Sequence, residues 1–291
     1  MAHYLFSRLW QGLIAILGAV LIVFIAQRLA GDPLALLLPM DASEADFEAL
    51  RVELGLDQPL LVQFFRFLQS VLVGDFGYSY QWQTPALDLI LDRLPATLEL
   101  AVAGLLFAIV LAIPLGVFSA LYQDSWVDRV AKVFAMLGQA IPSFWIGLLL
   151  ILFFAVTLNW LPAYGRGNLS HLVLPAIALG WYPVAAMTRT LRSAMLDILQ
   201  SDYIRMARSV GLSERAIIWK YALRNATVPL ATMIGVYFAN MLGGAFVVEV
   251  VFAWPGVGRT VVEAVFNRDF PVVQAGVILS AVVFVLVNLL V

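Results

Sequence analysis

The residue types that carry out hydrolytic or redox chemistry are scarce in this chain, and their neighbours do not suit them to it. A loop that cradles nucleotide phosphates needs Gly-Lys-Ser/Thr after a glycine-rich turn. The two lysines are Lys132, preceded by Ala131, and Lys220, preceded by Trp219. Neither fits. A zinc protease needs His-Glu-x-x-His, but His3 and His171 stand far apart and no Glu follows either. There is no Gly-x-Ser-x-Gly elbow for a serine hydrolase. Cysteine is absent, which removes disulfides and thiolate chemistry. The expectation is a chain that is not an enzyme and that itself binds no metal and no cofactor.

What remains is a small set of polar groups in apolar sequence. Glu99 and Glu249 sit at the edges of charge-free windows, and Asn240, Gly243 and Gly244 lie just before Glu249. An ionisable residue in a membrane is costly and is a functional candidate for that reason. These five are candidates for a pathway or gate. Plainer readings stay open beside that one. The carboxylates can simply reach the outer interface, and adjacent glycines let helices approach closely.

The elements that must position these groups follow from composition. Residues are 63% hydrophobic and only 12% charged, about half the globular norm of roughly 25% charged. Mean hydropathy is +0.94. Such a chain cannot cover itself with a charged surface, so lipid is its expected solvent. A net charge of −2 gives no reason to expect nucleic acid as a partner. Six windows lack Asp, Glu, Lys and Arg: Leu9–Gln27, Leu100–Gln123, Val133–Gly165, Gly167–Thr188, Asn225–Val248 and Phe270–Val291. A helix needs about 20 apolar residues to cross the hydrocarbon, and each window is near that length or above it. The third, 33 residues long, has room for a span plus a re-entrant turn, with an expected end near Leu158. The first is read as a retained span, because a signal peptide has a shorter apolar core of roughly 7–15 residues. Alternating strands are not seen, so the spans are helices. Pro114, Pro142, Pro175 and Pro183 fall in or near spans, where kinks are expected.

Between the first two spans lies a 64-residue segment, Gly31–Leu94. Ser43 is placed to cap a helix through Leu54, with Gly55 as its stop. Asp57-Gln58-Pro59 opens a second helix that ends at Gly74. These read either as interfacial helices lying on the membrane or as helices packed against the spans. With the N-terminus inside, ten Lys and Arg residues fall on the cytoplasmic side, and seven of them lie between Arg189 and Arg224. The other seven of the chain are spread over the outside. The bias favours a cytoplasmic N-terminus.

The basic stretch is itself folded. Gly211 is placed as the left-handed stop of a helix over Ile204–Val210. Ser213 is a good cap for a second helix beginning at Glu214, whose carboxylate suits the positive helix end. Helix, turn, helix, with cations and with Trp219 and Tyr221, would suit docking a partner. Positive-inside topology alone is a second reading. DNA binding is a poor third, because the loop is tethered at both ends by spans.

The wording of this loop resembles one family. Asp202, Tyr203, Arg205, Ala207, Arg208, Gly211 and Leu212, followed by Ala222-Leu223-Arg224-Asn225-Ala226 and Pro229, look like the loop of permease subunits of ABC importers. The branch is the one for dipeptides, oligopeptides, glutathione and nickel. Against the general Glu-Ala-Ala-x-x-x-Gly pattern of such loops, Arg205 stands at the Glu and Met206 at the first Ala. Further agreement runs along nearly the whole chain. It includes Gly31-Asp32-Pro33, Leu54-Gly55-Leu56-Asp57-Gln58-Pro59, Gly74-Asp75-Phe76-Gly77, Leu94-Pro95-Ala96-Thr97-Leu98-Glu99-Leu100, Phe252 to Arg259, and Asn267 to Pro271. In that family a short charged tail follows the last span, so a continuation past Val291 is expected.

The resemblance implies an all-α membrane protein of the type I importer permease fold. Six transmembrane helices are joined by short extracytoplasmic interfacial helices and a cytoplasmic helix-turn-helix coupling loop. Residues 1–94 would hold the first span and the extracytoplasmic segment. Residues 95–291 would form the five-helix permease core, with the coupling loop at 193–228. The coupling residues would be Asp202, Tyr203, Arg205, Ala207, Arg208, Gly211, Leu212, Ser213 and Glu214. The implied partners are a second homologous permease subunit, two cytoplasmic ATPase subunits carrying ATP and Mg, an extracytoplasmic substrate-binding protein, and membrane lipid. The implied place is a bacterial or archaeal inner (plasma) membrane, and the implied activity is import of di- and oligopeptides, with nickel or glutathione as alternatives. An ion-gradient-driven secondary transporter is the rival from another class. It would want charge near the midplane and an inverted repeat, and neither is visible.

Overall fold

The computed structural model describes residues 2–29, 43–53 and 55–290. Gly31-Asp32-Pro33, Leu54 and the expected continuation past Val291 lie outside them. Every regular element among the described residues is helical; the only extended pairing is a single bridge between Tyr78 and Pro85. Among the described residues four helices are long and apolar enough to cross a membrane: Phe6–Leu29 within α1 (Ala2–Leu29), α4 (Ala86–Leu121), α7 (Leu169–Leu199) and the last helix, Phe270–Leu290. Two bent pairs raise the number to six if each is one span: Trp126–Ala140 with Ser143–Thr157, and Glu214–Ala226 with Val228–Gly243. The six charge-free windows fall on these six.

The departures from the windows have local causes. Helix α4 is 36 residues long, about 54 Å at 1.5 Å per residue, well beyond a hydrocarbon core of about 30 Å. It begins thirteen residues before Glu99, because Asp88, Asp92 and Arg93 are no obstacle to a helix outside lipid. The third window is broken where a kink was expected. Trp126–Ala140 (α5) and Ser143–Thr157 (α6) meet at 108°. Ile141 is extended, with φ −96° and ψ 123°, as the residue before a proline prefers. Pro142 thus turns the chain sharply, whereas Pro175 and Pro183 lie inside α7 without ending it. Helix α6 finishes as a π-helix over Ile151–Thr157, so its end near Leu158 is as expected.

The described residues form two compact units, Met1–Pro95 with Thr260–Leu289, and Ala96–Arg259 with Leu290–Val291. In the first, α2 (Glu44–Glu53) starts after Ser43, whose hydroxyl accepts from Asp46 N–H and donates to the Asp46 carboxylate. The serine hydroxyl holds the Asp46 pKa below the usual carboxylate range. Gly55 follows at φ +65°. Helix α3 (Leu60–Val73) closes on Gly74 at φ +77°. One face of α3 packs on α1: Phe64 meets Phe24 edge-on at 5.3 Å, and Arg28 donates twice to Gln63 Oε1. Its other face leaves Leu61, Phe65, Leu72 and Val73 exposed. The packing of this helix against a span is thus seen directly, and its outer face is apolar.

In the second unit α7 is the central helix, buried along most of its length from Leu174 to Met195. Small residues bring neighbours close. A Cβ on Gly180 would fall 2.5 Å from the Gly104 carbonyl oxygen on α4, and one on Gly138 would fall 2.5 Å from Ala185 Cβ. Such contacts replace the hydrophobic drive that lipid does not supply.

Candidate functional site

The loop after α7 is rigid by construction. Helix α8 (Asp202–Ser209) ends in a Schellman turn: Leu212 N–H donates to the Ala207 carbonyl at 3.2 Å and Gly211 N–H to that of Arg208 at 3.0 Å. Gly211 sits at φ +81°, with nothing within 4 Å of an added Cβ. Ser213 then caps α9 (Glu214–Ala226), its hydroxyl accepting from Ala216 N–H. The middle of α9, Ile217–Ala222, is a π-helix. Ile204 and Ala207 of α8 share a core with Ile217, Ala222 and Ala226 of α9 and with Leu191 and Met195 of α7. The alanines allow this close approach. Two residues that carry the family wording hold each other, Asn225 donating to the Tyr203 hydroxyl at 3.0 Å.

The charges of this stretch are less available than their number suggested. Arg208 is bonded to Glu214 at 2.7 Å, Arg205 lies 3.2 Å from Asp202, and Arg189 donates to Gln139. The Arg208 guanidinium holds the Glu214 carboxyl below its ordinary range. Arg192 is taken up entirely elsewhere, in a two-pronged pair with Asp128 at 2.7 and 2.8 Å. The loop's exposed surface also carries apolar side chains. Met206 and Val210 are 68% and 66% exposed, with Tyr203, Leu212 and Trp219 also open. Arg215, Lys220 and Arg224 are the exposed cations beside them.

Asp128 was missed in the sequence. It is fully buried near the start of α5, and besides Arg192 it takes Ser119 Oγ–H at 2.5 Å, Asp124 N–H at 3.0 Å and Lys132 at 2.8 Å. The local signs are Ser125 three residues earlier, which reads as an ordinary helix start, and Lys132 four residues later. Its distant partners, Ser119 and Arg192, come from α4 and α7.

Glu99 and Glu249, paired as candidates in the sequence, have separate surroundings. Glu99 is partly exposed and bonded by Arg166 at 2.5 and 2.9 Å. Glu249, on α11 (Phe246–Val251), does not reach an open interface, because it is fully buried. Its Oε1 accepts from the Thr97 hydroxyl at 2.7 Å and its Oε2 from Arg259 N–H at 2.9 Å. Thr97 in turn accepts from Val257 N–H, and the buried Trp254 donates its indole N–H to the Ala96 carbonyl. Gly256 must be glycine here, because a Cβ would lie 2.2 Å from Glu249 Oε1. Asn240 is exposed on α10 (Val228–Gly244), and Gly243 and Gly244 form its last turn. Glu99 and Glu249 are thus held by different partners, and Asn240, Gly243 and Gly244 lie on another helix. No grouping of His, Cys, Asp and Glu able to hold a metal occurs among the described residues.

Comparison with known proteins gives this architecture a family. The model described as "Binding-protein-dependent transport system inner membrane component" matches residues 112–291. That of the N-terminal part of the same systems' membrane component matches residues 1–101. The chain is 40% identical over 293 aligned positions to the glutathione transport system permease protein GsiC of Salmonella paratyphi A, covering 100% of this chain and 95% of that protein. The corresponding protein of Escherichia coli strain K12 is similar to the same degree. A structure titled as inward-facing conformations of the MetNI methionine ABC transporter shares the fold, with a TM-score of 0.58 at 17% identity over 69% of this chain and 91% of that one. The chain therefore belongs to the inner-membrane components of binding-protein-dependent transport systems, as a multi-pass permease of the ABC importer branch that handles peptides, nickel and glutathione.

Proposed function

We propose that this permease passes small peptides, glutathione among them, and that the loop 193–228 seats in a cytoplasmic ATPase subunit. The carrying observation is the turn at Gly211, a locked helix-turn-helix that presents Met206, Val210 and Leu212 outward while binding its own charges. An exposed apolar patch on a rigid element is what a protein partner covers. In this reading Asp202, Arg205, Arg208 and Glu214 keep the loop in shape, Tyr203, Ala207 and Ser213 brace its two helices, and Gly211 and Leu212 form the seat. ATP binding closes the ATPase pair and the loops carry that motion to the spans, a rigid-body switch between outward and inward access. The chain does no chemistry of its own.

The second permease subunit, two ATPase subunits holding ATP and Mg, and an extracytoplasmic binding protein complete the machine. Residues 1–94 serve as first span and extracytoplasmic segment and 95–291 as permease core, a division supported by the two family matches that meet near it. The N-terminus and the loop face the cytoplasm, supported by the ten cations on that side. Glu99, Asn240, Gly243, Gly244 and Glu249 serve the pathway or its gate. Peptide cargo is supported by the 40% identity to glutathione permeases over the full chain.

Because the chain has no cysteine, Ser209→Cys gives a single thiol for labelling from either side of the membrane. The main test is ATPase activity of the co-purified complex in nanodiscs, with binding protein loaded with glutathione, a dipeptide or nickel. Stimulation by a peptide ligand supports the reading. Stimulation by nickel alone moves the cargo to the metal. Transport driven by an ion gradient without any co-purified ATPase refutes it.

A further inference from the structure

Between α5 and α7, with Ser119 of α4 at its edge, lies a half-open pocket of about 510 Å³, within the roughly 300–1,000 Å³ of small-molecule sites. Its composition is unusual for a gap between membrane helices. Lys132, Arg189 and Arg192 line it, together with the small apolar walls of Ala131 and Ala135. No acidic residue is among the lining residues. Asp128, bonded to Arg192 and Lys132, and Asp124, 3.8 Å from Lys132, offset two of the three charges, so the cavity keeps a surplus of one positive charge, that of Arg189. Arg189 makes only a neutral contact there, to Gln139. Thr188 also lines the cavity; it is 2% exposed, and its hydroxyl has no hydrogen-bond partner among the described residues. A buried hydroxyl without a partner is costly, so an acceptor from a ligand would recover a real loss.

We propose that this cavity is a binding site for a small anionic head, carboxylate or phosphate, carried on a short apolar body. Arg189 supplies the uncompensated charge, Lys132 lends a further donor, Thr188 donates its hydroxyl, and the alanine walls take the apolar part. The head can come from a peptide carboxylate on the cytoplasmic side or from an anionic phospholipid of the inner leaflet. That side rests on the topology proposed above. The chemistry of the site does not.

The test is ligand-induced thermal stabilisation of the purified full complex in detergent, where both faces are reachable. The probes are glycyl-leucine, glycyl-leucinamide, phosphatidylglycerol and phosphatidylcholine. Stabilisation by the free acid but not the amide identifies a peptide carboxylate; stabilisation by phosphatidylglycerol but not phosphatidylcholine identifies a headgroup. Arg189→Gln, an exposed position, is expected to raise the half-saturating concentration about tenfold or more, the loss of a charge-assisted bond. Thr188→Val is expected to leave the unliganded melting temperature unchanged or higher while weakening binding several-fold. A purely structural threonine would show the first effect without the second. No stabilisation by any probe, or stabilisation equal in both variants and the parent, overturns the proposal. A topology error would appear separately, as labelling of Ser209→Cys from the extracytoplasmic side with binding intact.

Discussion

Replacing Gly211 isolates one term of the loop's energetics. Its φ of +81° lies in the left-handed region, and an added Cβ meets nothing within 4 Å. Gly211→Ala therefore carries no clash, and its cost is that of the backbone conformation alone, roughly 1–2 kcal/mol. That shifts the balance between the native turn and its alternatives about 5- to 30-fold. Two hydrogen bonds go with the turn, from Leu212 N–H to Ala207 and from Gly211 N–H to Arg208. Gly211→Asn is milder, because asparagine visits this region. Gly211→Val is worst, because β-branching crowds it further. The assay is ATP-driven uptake of labelled glutathione or dipeptide into proteoliposomes at matched permease content. Uptake is expected to fall in the order glycine, asparagine, alanine, valine, with the permease still in the membrane. Equal uptake for glycine and valine would refute the seat. So would a loss that tracked falling membrane abundance, since the loop would then matter for folding and not for coupling.

Three further outcomes follow from the buried and paired carboxylates. Arg192→Met strips Asp128 of its two-pronged partner and leaves Lys132 to hold it; loss of a buried partner costs about 3–5 kcal/mol, read as a fall in melting temperature. Adding Asp128→Asn to that variant is expected to return part of the loss, giving a clear coupling in a double-mutant cycle. Glu249→Gln puts an amide N–H2 against either the Thr97 hydroxyl or Arg259 N–H, both of which donate; one buried donor loses its acceptor, at a cost of about 1–3 kcal/mol, again read by melting temperature. The pair of Arg208 with Glu214 lowers the Glu214 pKa, so its contribution is present above the ordinary glutamate value and is lost as pH falls through the lowered one. Hydrogen exchange over 202–216, corrected for intrinsic rates, should stay constant around neutrality and rise only in acid. In Glu214→Gln that acid step should vanish.

The spans and the loop's turn were legible because they rest on local signals. Freedom from charge marked six segments, and Gly211 with Ser213 two residues on marked a helix stop followed by a cap. The sequence did not reveal what depends on distant partners. Pro142 reverses the chain while Pro175 and Pro183 do not, and the difference lies in whether the preceding residue is held extended, as Ile141 is. Counting cations between Arg189 and Arg224 overstated the loop's free charge, because Arg192 is committed to Asp128, 64 positions away. Glu249 was found by its type, but its burial depends on Thr97 and Arg259, which no periodicity connects to it.

The π-helical turns at Ile151–Thr157 and Ile217–Ala222 give two helices slack in their winding. A π turn stores one residue more than an α turn, and one residue is about 100° of rotation in an α-helix. Passing that residue along the helix turns what lies beyond it about its own axis, while each amide still finds a carbonyl one place along. The second of these turns lies between the capped loop at Ser213 and the apolar run from Val228 to Gly244. In the coupling role proposed above, a push on the loop would leave the π turn as a twist of the helix as far as Thr227, where it bends by 50° into the apolar run.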